Sequence, residues 1–175
     1  MKLVAFAASS SRASINKQLV TYAANLVANA DIELLDINDY EMPLFSADRE
    51  LELGQPELAK SFLAKIAAAD ALLISFAEHN MSFTAAWKNL YDWCSRIEPK
   101  VYQGKPVVML STSPGGRGGA NVLEAALVSA PRFGAEIRGS LAIPSFHENF
   151  DVDSGELTNA ELQAKLVATV NTLLD

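Results

Sequence analysis

Apolar residues recur along this chain in two rhythms, and the rhythms mark out its elements. Three stretches are almost continuously apolar: Lys2 to Ala8 (KLVAFAA), Ala71 to Ala77 (ALLISFA) and Pro106 to Ser111 (PVVMLS). That pattern predicts strands covered on both faces, as in the middle of a parallel sheet. Ile32 to Ile37 (IELLDI) alternates more, and Glu136 to Ile143 carries Arg138 and Gly139, so both read as edge strands. Between the strands the period becomes helical. Ser14 to Val27 lines up Ile15, Leu19, Tyr22, Ala23, Leu26 and Val27, and Pro56 to Ala69 lines up Leu58, Phe62, Leu63 and Ile66 behind a proline in the first turn. Thr84 to Ser95 lines up Trp87, Leu90, Tyr91 and Cys94. Leu123, Ala126, Leu127 and Ala130 make a further stripe that Pro131 and Gly134 terminate. Thr158 and Glu161 read as a capping box that opens a last helix through Leu162, Leu166, Val170 and Leu173. Asp39 to Gly54, with Pro43 and Phe45 but no period, reads as a long loop, and SFHENFDVDSG after the fifth strand reads as irregular.

Five strands alternating with helices predict a parallel sheet wound right-handedly with helices on both faces. Because strands one, three and four are the most apolar, the order 2-1-3-4-5 is favoured over a dinucleotide-binding sheet. The expected fold is therefore α/β: a flavodoxin-like, doubly wound, five-stranded parallel sheet forming one domain over residues 1–175. In that order the loops after strands one, three and four converge at the carboxyl edge, beside the switch point where ligands bind.

Composition narrows the partners. A net charge of −7 without a Lys/Arg run argues against nucleic acid and anionic membranes, and no apolar run approaches a membrane span. Met1 leads straight into the first strand without a signal-like segment, and a single cysteine, Cys94, leaves no intramolecular disulfide; the expectation is a cytoplasmic protein. Cys94 lies on an apolar stripe and reads as an inert buried thiol rather than a nucleophile. The two histidines, His79 and His147, are too far apart in sequence to suggest a metal site.

The three converging loops carry the chemistry. Ser9, Ser10, Ser11 and Ser14 place hydroxyls where free N–H groups of the first helix point outward, an arrangement that attracts an anion. GxGxxG, GxxxxGK[ST] and GxSxG are all absent, which removes the dinucleotide fingerprint, the P-loop and the hydrolase elbow as explanations. The turn suits a terminal phosphate, although a serine-rich turn with Ser14 as a simple helix cap would look the same. After strand three come Glu78, His79, Asn80 and Ser82; Glu78 and His79 are a weak acid–base candidate, since neighbours in an extended loop point apart. After strand four, STSPGGRGG from Ser111 to Gly119 lets backbone approach a ligand closely.

Taken together these residues resemble the NADPH-dependent FMN reductase family of flavodoxin-like proteins, which includes quinone and chromate reductases. The first loop, ASSSRASIN from Ala8 to Asn16, is similar to the family's G-S-x-R-x-x-S-x-N, with the glycine falling on Ala8, the arginine on Ser11, and Arg12 one position late. AEHNMSFTAAWKNLYDW from Ala77 to Trp93 resembles P-E-Y-N-x-S-x-P-x-x-L-K-N-x-x-D-W, with Ala77, His79 and Thr84 replacing Pro, Tyr and Pro. The resemblance implies an FMN phosphate on Ser9, Ser11, Arg12, Ser14, Ile15 and Asn16, the last two partly through backbone N–H groups. It implies flavin-ring contacts from Glu78, His79, Asn80 and Met81 and from Ser113, Pro114, Gly115, Gly116, Arg117 and Gly118. Catalysis would then be borne by FMN, with NADPH or NADH as donor and a quinone, free flavin or other small oxidant as acceptor. A non-catalytic FMN-binding or interaction protein would carry the same loops. Lys88, Asn89, Asp92 and Trp93 read as structural. Trp93 falls off the Trp87–Cys94 stripe and is expected to stand in water near Phe83, a patch that would favour a homodimer or homotetramer.

Overall fold

Successive side chains on a strand point to opposite faces, so a strand buried on both sides needs a layer above and a layer below. The computed structural model, which describes residues 1–175, supplies both. Strands β1 (Lys2–Ala8), β2 (Asp31–Leu35), β3 (Ala71–Phe76), β4 (Pro106–Thr112) and β5 (Glu136–Ile143) pair in parallel in the order β2-β1-β3-β4-β5. This is the expected flavodoxin-like order, with β2 and β5 at the edges. Leu3, Ala5 and Ala7 of β1 pack with α1 (Ile15–Asn25) and the last helix, α7 (Ala160–Asn171). Val4, Phe6 and Ala8 face the larger core made with α3 (Glu57–Ala68), α4 (Ala85–Ile97) and α5 (Ala120–Ser129). Cys94 is fully buried there, with its thiol directed at the Ala59 carbonyl at 3.8 Å, and burial pushes its pKa up to about 12. No helix is long and apolar enough to cross a membrane.

Four local expectations are corrected. The stretch Asp39 to Gly54 is not all loop: a 3-10 turn covers Ile37–Tyr40 and α2 covers Ala47–Leu53. Because α2 buries none of its residues, it has no apolar stripe to read; Ser46 caps its start, and Arg96 pairs with Glu50 at 3.0 Å to hold it on α4. The irregular stretch after β5 contains the short helix α6 (Phe146–Asn149) and a hairpin of β6 (Phe150–Asp151) with β7 (Glu156–Leu157). The last helix is capped by Asn159, whose Oδ1 accepts from Glu161 and Leu162 N–H, while the Thr158 hydroxyl is drawn away to the Asn149 carbonyl.

The fourth correction concerns Trp93. It is 0% exposed, stacked edge-on against Phe45 with ring centroids 5.1 Å apart, and its Nε1 donates to the Pro43 carbonyl at 2.7 Å. The segment around Pro43, aperiodic in sequence, lies across this second side of α4. Asn89 completes the clamp: its Oδ1 accepts from Phe45 N at 2.8 Å and its Nδ2 donates to the Met42 carbonyl at 3.0 Å.

Candidate functional site

The turn between β1 and α1 is built by its own polar groups. Ser14 adopts the extended conformation of an N-cap and its Oγ accepts from Lys17 N at 3.3 Å, while Ser9 Oγ accepts from Ser11 N at the same distance. The next two donors of the helix, the N–H groups of Ile15 and Asn16, have no acceptor within the protein. The Ser11 hydroxyl, on an exposed residue, is likewise uncommitted. Two bare helix-start donors beside the uncommitted Ser11 hydroxyl make a place that can receive an anion, and the helix dipole adds to it.

The Asn16 side chain is engaged elsewhere. Its Oδ1 accepts from Ser75 Oγ at 2.7 Å and from Thr112 N at 3.0 Å, and its Nδ2 donates to the Thr112 carbonyl at 3.1 Å. This buried amide therefore bolts the first turn of α1 to the ends of β3 and β4. Asn16 faces a ligand with its backbone N–H alone.

A cavity of about 230 Å³ opens at this point. Of the sequence-derived candidates it gathers Ser9, Ser11, Ser14, Ile15 and Asn16 from the first loop, Glu78 and His79 from the second, and Ser113 and Pro114 from the third. Sequence reasoning omitted three lining residues, Ala13, Ala77 and Thr112, which carry no distinctive chemistry and are recognisable only by position. Arg12, Asn80, Met81, Gly115, Gly116 and Arg117 are exposed residues of the same three loops that do not line this cavity, and Gly118 is buried beneath it. A larger cleft of about 410 Å³ lies on the Ser10 side of the turn, against the Ile37–Leu44 segment and α4. Its amides are already spent, Asn38 on Asp36 and Asn89 on the strap over α4.

The second loop is a tight hairpin in which His79 and Ser82 exchange backbone hydrogen bonds at 3.0 and 3.1 Å. Its two tip residues, Asn80 and Met81, have φ of 51° and 64°, the mirror-image turn in which glycine and asparagine are usual and methionine is not. The turn leaves Met81 66% exposed. Thr84, the N-cap of α4, anchors the loop by donating from Oγ1 to the Ala8 carbonyl at 3.0 Å. The Glu78 carboxylate accepts from Asn121 Nδ2 and Val122 N, at 3.2 and 3.0 Å, and makes no hydrogen bond with the His79 side chain.

The third loop owes its glycines to two different demands. Gly118 and Gly119 have φ of 60° and 75°, and a Cβ on Gly118 would sit 2.6 Å from the Ile143 carbonyl oxygen. Those two glycines serve internal packing. A Cβ on Gly116 would meet nothing within 4 Å, and one on Gly115 only Ser113 Oγ at 3.8 Å. Only this pair leaves open space for a ligand. The loop is fastened to the segment after β5 by Ser145 N to the Gly115 carbonyl and Phe146 N to the Ser113 carbonyl, both at 3.0 Å.

A doubly wound parallel sheet in the order β2-β1-β3-β4-β5, with three loops converging at its carboxyl edge, defines the flavodoxin-like class of fold. Comparison with known proteins gives the family: the chain belongs to the NADPH-dependent FMN reductases, whose family model matches residues 1–148. It is 37% identical over 122 residues to a 2-hydroxy-1,4-benzoquinone reductase from Burkholderia sp., covering 69% of this chain and 64% of that protein. It is 33% identical over 123 residues to an NADPH:quinone oxidoreductase from Arabidopsis thaliana, covering 68% and 61%. The chain thus spans less than two thirds of the length of these curated relatives. Among solved structures, FerB, a flavoenzyme NAD(P)H:(acceptor) oxidoreductase from Paracoccus denitrificans, superposes with a TM-score of 0.83 at 25% identity, covering 99% of this chain and 95% of FerB.

Proposed function

We propose that this chain is an FMN-dependent NAD(P)H oxidoreductase that reduces a quinone or another small oxidant. The observation that carries the reading is the pair of unpaired Ile15 and Asn16 N–H groups beside the Ser9, Ser11 and Ser14 hydroxyls on the cavity wall. These groups fit the FMN phosphate, and the vacant space over Gly115 and Gly116 fits its flat ring. FMN, when bound, supplies the hydride chemistry between nicotinamide and acceptor. The protein's part is to bind and orient. The first loop fixes the phosphate, Arg12 adds positive charge at its rim, and Glu78, His79, Asn80 and Met81 wall one side of the ring. Ser113, Pro114, Gly115, Gly116 and Arg117 form the other wall, and Gly118 supports it from within the packed interior. Family membership and the quinone-reductase names of its relatives support this assignment.

Ser11→Ala is the sharpest test of the phosphate placement, because the Ser11 hydroxyl holds nothing in the protein. A hydrogen bond to a charged group contributes about 1.5–3 kcal/mol, so FMN should bind roughly tenfold to a hundredfold more weakly in a fluorescence titration, with thermal stability unchanged. Unaltered affinity would move the phosphate elsewhere.

We further propose a homodimer or homotetramer of residues 1–175 acting as one domain per subunit. Leu44 and Leu51 are 68% and 88% exposed on the strap and helix that cover α4, and they replace Trp93 as the apolar surface that asks for a partner. Sedimentation at micromolar concentration should give a dimer or larger; a monomer contradicts it.

A further inference from the structure

Glu78 performs a task that its place on the cavity wall does not require. Helix α5 begins after Gly119, which has no side chain with which to cap it. The oxygen that satisfies its third N–H comes instead from another loop: Glu78 Oε2 accepts from Val122 N at 3.0 Å. Oε1 accepts from Asn121 Nδ2 at 3.2 Å, and Asn121 Oδ1 in turn accepts from Arg117 Nη2 at 2.8 Å. One carboxylate therefore reaches both the helix start and, through Asn121, the arginine at the crest of the glycine-rich loop. On its far side that loop is pinned to the segment after β5 by two backbone bonds. On its near side it has no direct hydrogen bond to the loop after β3; the bonds of Glu78 reach instead the first turn of α5, which follows it, and Asn121 passes the link to Arg117.

We propose that Glu78 is a positioning residue: it sets the width of the slot between the loops after β3 and β4, and its fixed charge holds down the reduction potential of the flavin in that slot. The inference rests on the FMN reading above. The first half follows from the geometry, since without the carboxylate no hydrogen bond ties the first turn of α5, and through Asn121 the third loop, to the second loop. The second half follows from Coulomb's law, because reduction adds electron density to the ring and a carboxylate on the same cavity wall opposes it. A carboxylate suits both duties, being favoured at a helix N-terminus and kept from wandering by two donors.

Wild type, Glu78→Ala and Glu78→Gln are to be compared by FMN titration, by hydrogen exchange of the Val122 amide in flavin-free protein, and by the midpoint potential of the bound flavin. Glu78→Ala should weaken FMN by about tenfold, because binding must then also re-form the slot, and should expose Val122 to exchange. Glu78→Gln keeps an acceptor oxygen, so it should restore most of the affinity and protection while moving the potential to a more positive value. An alanine variant that binds FMN like wild type, or a glutamine variant with the wild-type potential, overturns the role of Glu78 and leaves the flavin reading intact. Wild-type protein that takes up no FMN overturns the flavin reading itself and this role with it.

Discussion

Gly118→Ala should cripple the third loop and with it flavin binding, although it adds a single methyl group. The residue has φ of 60°, and an added Cβ would lie 2.6 Å from the Ile143 carbonyl oxygen and 2.7 Å from its carbon. Neither neighbour is the end of a flexible side chain. The Ile143 carbonyl is also held in place, accepting from Thr112 Oγ1 at 2.8 Å, so the loop rather than the strand must move. Strained left-handed backbone costs roughly 1–3 kcal/mol and overpacking a similar amount, which together predict a loss of roughly 2–6 kcal/mol in denaturant unfolding. Gly116→Val is the contrasting variant: its Cβ meets nothing within 4 Å and its backbone is not left-handed. It should keep wild-type stability without flavin, yet bind FMN poorly because the valine fills the space meant for the ring. Equal stability of Gly118→Ala and Gly116→Val would show that the close approach to Ile143 is unimportant.

Trp93→Ala should be the most damaging substitution on α4. The side chain is fully buried, and removing it empties the space against Phe45 and deprives the Pro43 carbonyl of its Nε1 donor. Deleting a buried tryptophan costs roughly 3–5 kcal/mol, a large part of the stability of a domain this size. The Met42–Phe45 strap should loosen as well, since Asn89 would be its one remaining hydrogen-bonded tie to α4. Trp93→Phe keeps the ring packing and loses the donor, so it should cost only about 1 kcal/mol. If alanine and phenylalanine at this position unfold at the same denaturant concentration as wild type, the strap does not depend on Trp93.

Which parts of this were legible in the sequence depended on how far apart the interacting residues lie. The sheet order was readable because burial on two faces leaves a continuous apolar run, and β1, β3 and β4 each carry one. The Ser14 cap was readable because Ser14 and the start of α1 are neighbours in the chain. The task of the Asn16 amide is not legible locally: its partners Ser75 and Thr112 lie 59 and 96 residues away and no local pattern announces them. Asn121 escaped notice for the same reason, since its bond to Glu78 spans 43 residues. Trp93 was misplaced because the strap that buries it has no period, and α2 was unreadable because a helix that buries nothing leaves no stripe. The glycine-rich loop was half read: glycines clustered near a ligand edge look alike in sequence, and only the backbone separates Gly115 and Gly116, which leave room, from Gly118 and Gly119, which fill it.

In the proposed function the hydroxyls and bare N–H groups at the start of α1 hold FMN so that NAD(P)H can reduce it on this chain. Anaerobic rapid mixing of FMN-loaded protein with NADPH, or with NADH, and no acceptor present tests it most directly. The visible flavin band should bleach at a rate that saturates with nucleotide and return when a quinone is added, as expected if donor and acceptor use the same open edge in turn. A protein that binds FMN tightly yet keeps its colour with both nucleotides would contradict the account and leave a flavin carrier in place of a reductase.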